Sequence, residues 1–114
     1  MSEQLNTVII QAIQNKKGVR IINQDLRGFS DICNNQIICS AQNEKQAQAI
    51  ADGICAEVKA SLGIHPGAVE GKEKGHWVLV DFGSTIVHVF HDYLRDYYAL
   101  EELWPKSKFI RIDG

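Results

Sequence analysis

The stretch Trp77-Val78-Leu79-Val80-Asp81-Phe82-Gly83-Ser84-Thr85-Ile86-Val87-His88-Val89-Phe90 decides the fold. Two runs rich in β-branched and aromatic residues flank Gly83-Ser84, a sequence suited to a two-residue hairpin turn with glycine first. Such a turn sets the register: Phe82 faces Thr85, Val80 faces Val87 and Trp77 faces Phe90. Alternation then separates two faces. One carries Val78, Val80, Phe82, Val87 and Val89 with Thr85, and reads as core. The other carries Trp77, Leu79, Asp81, Ile86, His88 and Phe90, with Asp81 and His88 on diagonal positions within reach of each other. A charged pair inside a purely structural face would carry a desolvation cost. This second face is therefore expected to stay partly exposed, as a surface for a partner.

Upstream, Ala47, Ile50, Ala51, Ile54, Val58 and Leu62 recur at three- and four-residue steps and predict a helix. Asn43 and Gln46 form a capping pair, and Gly63 closes it. Pro66-Gly67 opens a loop expected to run to about Gly75. Leu5, Val8, Ile9, Ala12 and Ile13 predict a first helix over Ser2–Lys17, stopped by Gly18. Val19–Ile22 and Gln36–Ser40 read as strands. Downstream, Asp92 is placed to cap a helix through Leu94, Tyr97, Tyr98, Leu100, Leu103 and Trp104, ended by Pro105. Residues 106–114 read as a mobile tail or a short edge strand, after a domain over 1–105. The order α-β-β-α-β-β-α gives an α+β fold: a single small domain with a mixed or antiparallel sheet and packed helices.

Length and composition agree with one domain. The 114 residues are 45% hydrophobic and 23% charged, ordinary for a globular chain. Twelve Lys+Arg against fourteen Asp+Glu, a net charge of −2, give no general attraction to bare nucleic acid. No apolar run is long enough to span a bilayer. Ser2-Glu-Gln-Leu-Asn-Thr7 has no features of a secretion or transit signal, and three cysteines are too few for a disulfide scaffold. A cytoplasmic protein is expected.

Chemistry-bearing motifs are sparse. Cys33 and Cys39 have five residues between them, Cys55 lies on another element, and His88 and His91 on one strand point to opposite faces. No metal site follows, and no serine or cysteine is placed to use Asp81 and His88 as base and orienter. A strand followed by Gly83-Ser84 is how the phosphate site of nucleotidyltransferases begins, but their metal-binding carboxylates belong on the next strand. Thr85-Ile-Val-His-Val-Phe90 carries none. What remains is a set of aromatics, Trp77, Tyr97, Tyr98 and Trp104, near the mixed face. Trp and Tyr bury large area at little entropic cost, so the set points to a protein-binding surface.

The residues Val69-Glu70-Gly71, Gly75-His-Trp77-Val-Leu-Val-Asp81-Phe-Gly83, Val87-His88-Val-Phe90 and Arg95-Asp-Tyr97-Tyr98-Ala-Leu100-Glu-Glu-Leu103-Trp104 resemble the ribosomal silencing factor family, RsfS or Iojap. The likeness extends upstream through Ile38-Cys39-Ser40 and Ala49-Ile50-Ala51-Asp52. Where the family usually has Asp-Tyr and a glycine, this chain has Asn34-Asn35 and Ala41. The resemblance implies a nucleotidyltransferase-like topology without the catalytic carboxylates, no enzymatic activity and no cofactor. It implies binding to protein fourteen of the large ribosomal subunit at the intersubunit face, sterically blocking subunit association and repressing translation. Carried onto this chain, the partner-binding residues are Trp77, Leu79, Asp81 and His88, with Tyr97, Tyr98, Leu100 and Trp104 beside them and Glu70 on a loop at the rim. Trp77 would be the apolar anchor and Asp81 the acceptor for a basic group. His88 would orient Asp81 or donate to the partner. A large-subunit assembly factor using the same contact and a divergent nucleotidyltransferase are the alternatives. Self-association through the open face, giving a homodimer, is left open.

Overall fold

Gly83 turns the chain back with a φ of +87°, which its missing side chain permits, and the turn closes with Phe82 N–H donating to the Thr85 carbonyl at 3.0 Å. The flanking strands β4 (Trp77–Asp81) and β5 (Thr85–His91) pair antiparallel, Trp77 opposite Phe90 and Val80 opposite Val87, as the alternation requires. The computed structural model describes residues 2–99 and 108–112. Before the hairpin come α1 (Ser2–Asn15), β1 (Val19–Asp25), β2 (Asn35–Ala41), α2 (Glu44–Leu62) and β3 (Ala68–Glu70); after it come α3 (Asp92–Tyr98) and β6 (Lys108–Ile112). The strands form one mixed six-stranded sheet in the order β3-β4-β5-β2-β1-β6, in which only β2 and β5 run parallel.

The valine face is the core. Val78, Val80, Val87 and Val89 are fully buried with Ile21, Ile37, Cys39 and Ala41, under Ile9 and Ile13 of α1 and Ile50, Ile54 and Val58 of α2. Each such side chain removed from water contributes about 1.5–3 kcal/mol before entropy is counted. The capping pair on α2 forms: Asn43 Oδ1 accepts from the Gln46 N–H at 2.8 Å, and Gly63, at φ +67°, donates to the Lys59 carbonyl. Gln46 also holds the end of α1, its Nε2 donating to the carbonyls of Lys16 and Lys17.

Several expectations change. The left-handed residue ending α1 is Lys17, at φ +66°, not Gly18. Gly18 is needed for space, since a Cβ there would stand 2.4 Å from Ile13 Cγ2. The loop expected from Pro66 to Gly75 contains β3, too short to show a period of its own but paired with β4. Residues 108–112 take the edge-strand alternative, pairing with β1. The last helix is shorter than expected: Ala99 turns left-handed and caps it on the Arg95 carbonyl. Asp92 does not cap it; His91 occupies that position without a side-chain bond, and the Asp92 carboxylate accepts from Arg20 at 2.8 Å.

Candidate functional interface

On the face away from α1 and α2, alternation brings Trp77, Leu79 and Asp81 to one side of β4, with Ile86 directly across from Asp81. All four are half-buried. β3 extends this strip to the sheet edge, setting Ala68 opposite Asp81 and Glu70 opposite Leu79, both exposed. Glu70 is thus not on a rim loop. It stands in the strip, beside the leucine. Toward the sheet centre the same face closes: His88 is 8% exposed, and Phe90, Ile38, Ser40 and Gln24 are fully buried. The open surface is therefore a band along β3 and β4, bounded by buried residues of β5 and β2.

The indole of Trp77 lies against that boundary. Its ring stacks on Phe90, with centroids 4.9 Å apart and planes at 28°, and its Nε1–H donates to His88 Nδ1 at 3.1 Å. Burial pushes the His88 imidazole down to about 4, so it is neutral at pH 7. The expected Asp81–His88 pair does not form. His88 gives its Nδ1 lone pair to Trp77, while Asp81 Oδ1 accepts from the Gly83 N–H at 2.7 Å. Asp81 is oriented by the hairpin turn, through the short side-chain-to-backbone bond typical of Asp.

Charge is distributed unevenly over the carboxylates. Asp25 pairs with Arg27 at 2.7 Å, Asp92 with Arg20 at 2.8 Å, and Asp52 with Lys72. Among the described residues no cation stands against Asp81 or Glu70. The band thus presents an indole, a leucine and an isoleucine beside two carboxylates that no cation among the described residues offsets, an arrangement that receives an apolar surface flanked by Lys or Arg.

Arg95, on α3, had no expected role. It is 1% exposed, and its Nη1 donates to the Arg20 carbonyl at 2.6 Å and to Ser40 Oγ at 2.9 Å. Burial opposes the charge on nearby Asp92, but hydrogen bonds from Arg20 and Ser40 and the charges of Arg20 and Arg95 outweigh it and hold that carboxyl below its usual range. Together these groups root α3 on the sheet beyond Phe90. The only sequence signal for Arg95 is its place in the stretch Arg95-Asp-Tyr97-Tyr98; hydrophobic periodicity does not register a buried cation. Tyr97 and Tyr98 sit on α3, but their side chains lie outside the described residues, as do Leu100 and Trp104 entirely.

The thiols are unsuited to act as nucleophiles. Cys39 is fully buried and its thiol is pushed up to about 12, and burial also raises Cys33 and Cys55. His91 faces Glu44 at the start of α2, on the opposite side of the sheet from His88. Among the described residues no three His, Cys, Asp or Glu side chains are grouped to hold a metal, and no helix is long and apolar enough to cross a membrane.

The sequence model of the family described as "Ribosomal silencing factor during starvation" matches residues 1–114. The chain belongs to that family. Among curated ribosomal silencing factors, that of Halalkalibacterium halodurans is 35% identical over 113 residues, covering 99% of this chain and 96% of its own. The Bacillus subtilis silencing factor is 37% identical, covering 90% and 86%. A crystal structure of a Chromobacterium violaceum protein superposes with a TM-score of 0.87 at 31% identity, over 98% of this chain and 92% of that one. The family name places its members' action on the ribosome.

Proposed function

We propose that this chain docks on the large ribosomal subunit with the band formed by Trp77, Leu79, Asp81 and Glu70. In this reading the contact is protein fourteen on the intersubunit face, and occupancy there blocks joining of the small subunit by steric exclusion, without catalysis. The observation that carries the proposal is the half-open apolar band bearing two carboxylates with no cation of their own among the described residues. Proteins bound to ribosomal RNA are rich in Lys and Arg, because they neutralise phosphates. An acidic and aromatic band complements such a surface, and its charges speed the encounter. The hairpin supports a binding role over a nucleotidyltransferase one: β5, the strand after Gly83-Ser84, runs Thr-Ile-Val-His-Val-Phe-His and offers no carboxylate for a metal.

Light scattering during subunit mixing tests the proposal. Preincubating large subunits with the protein in molar excess is expected to remove most of the joined ribosome, while small subunits exposed to the protein and then freed of it by pelleting join normally. Binding to large subunits with joining undiminished would instead assign the chain to subunit assembly.

A further inference from the structure

The contact between Trp77 and His88 is more specific than core packing. An indole Nε1–H can only donate, so a bond to His88 Nδ1 requires that nitrogen to be unprotonated. The neutral imidazole then carries its single proton on Nε2. The ring is held in place on a central strand, 8% exposed, with Phe90 two residues on stacked against the indole. Trp77 itself is half-buried at the border of the open band. The indole is thus fixed from β5 by a hydrogen bond and a ring contact.

We propose that His88 is a positioning residue for docking: through Nδ1 it holds the Trp77 indole in one orientation against Phe90 before any partner arrives. The inference rests on the docking role given to Trp77 above and departs from the expectation that His88 serves Asp81 or touches the partner. An anchor already ordered loses little freedom on binding, and each large side chain that would otherwise have to be immobilised weakens affinity a few-fold to about tenfold. Because Nδ1 lies one bond beyond Cγ, the side-chain oxygen of asparagine can occupy nearly the same place, whereas phenylalanine fills the volume and accepts nothing.

His88→Asn and His88→Phe therefore separate the two roles. Large-subunit affinity, measured by sedimentation at fixed salt, is expected to fall about five- to tenfold in His88→Phe and to stay within about twofold of the parent in His88→Asn. Trp77→Phe, which keeps a ring but loses the N–H, is expected to lose affinity as well. Combining it with His88→Phe should cost no more than Trp77→Phe alone, since both remove one interaction. In the free protein, the Trp77 indole proton, assigned by its loss in Trp77→Phe, should exchange slowly with water in the parent and in His88→Asn, and faster in His88→Phe. Fast exchange in the parent overturns the proposal, and so do multiplicative losses in the double variant or parental affinity in His88→Phe. If His88→Phe does not fold, the parent's exchange rate and His88→Asn decide it. Undiminished binding by Trp77→Ala would instead sink the docking role of the band, while the exchange data would still report whether His88 fixes the indole.

Discussion

Replacing Trp77 and Asp81 together by alanine is expected to remove about 3–4 kcal/mol of binding to the large subunit, two to three orders of magnitude in affinity. Truncating the indole deletes the largest apolar contact the band can offer and removes its stacking on Phe90. Removing the carboxylate deletes a charge that no cation among the described residues offsets and that would attract a basic partner. Asp81→Ala also frees the Gly83 N–H that this side chain caps. Asp81→Asn is therefore the control, keeping an acceptor for the turn while removing the charge. Co-sedimentation with large subunits over a series of salt concentrations reads both effects. Parent binding should weaken steeply as salt rises, binding by Asp81→Asn less so, and the double variant should remain in the supernatant at salt where the parent pellets.

The second large effect is on folding. His88 titrates at about 4 in the folded chain because burial disfavours its charge, against about 6.5 when unfolded. The unfolded state takes up the proton first. The stability associated with a neutral His88 is therefore fully present above about pH 6.5, declines as pH falls and is exhausted at about pH 4. The loss across that window is about 3 kcal/mol. Urea unfolding at pH 7, 5.5 and 4.5 checks it: the midpoint should fall through the series for the parent, and much less for His88→Asn, which has no group to titrate at that position. Equal slopes for the two proteins would mean that the imidazole is not held neutral by burial.

The pattern of what was legible in the sequence follows from the range of the forces involved. The hairpin and its register were readable because turn chemistry at Gly83-Ser84 and a period of two act over neighbouring residues. The caps of α2 were readable for the same reason. β3 was not, since Ala68-Val69-Glu70 is too short to show alternation and exists as a strand only by pairing with β4. This displaced Glu70 from the site to its rim. Depth was also hidden. Alternation put Asp81 and His88 on one face, but it could not show that β5 is a central strand with β2 paired beside His88, while Asp81 stands on β4, nearer the sheet edge. Polar groups buried by distant partners leave the least local trace: Gln36 donates to Gln24 at 2.6 Å across two strands, and Arg95 reaches Ser40 from 55 residues away.

Site-specific photo-crosslinking from position 79 tests the central claim most directly. Leu79 lies in the middle of the band, between Trp77 and Asp81 and opposite Glu70. A photoreactive residue there, irradiated with purified large subunits, is expected to give one dominant adduct with protein fourteen, while the same group at Lys59, on the exposed side of α2, gives none. Adducts from position 59 but not from 79, or a dominant adduct from 79 to a component remote from the intersubunit face, would contradict the assignment of this band as the surface that silences the ribosome.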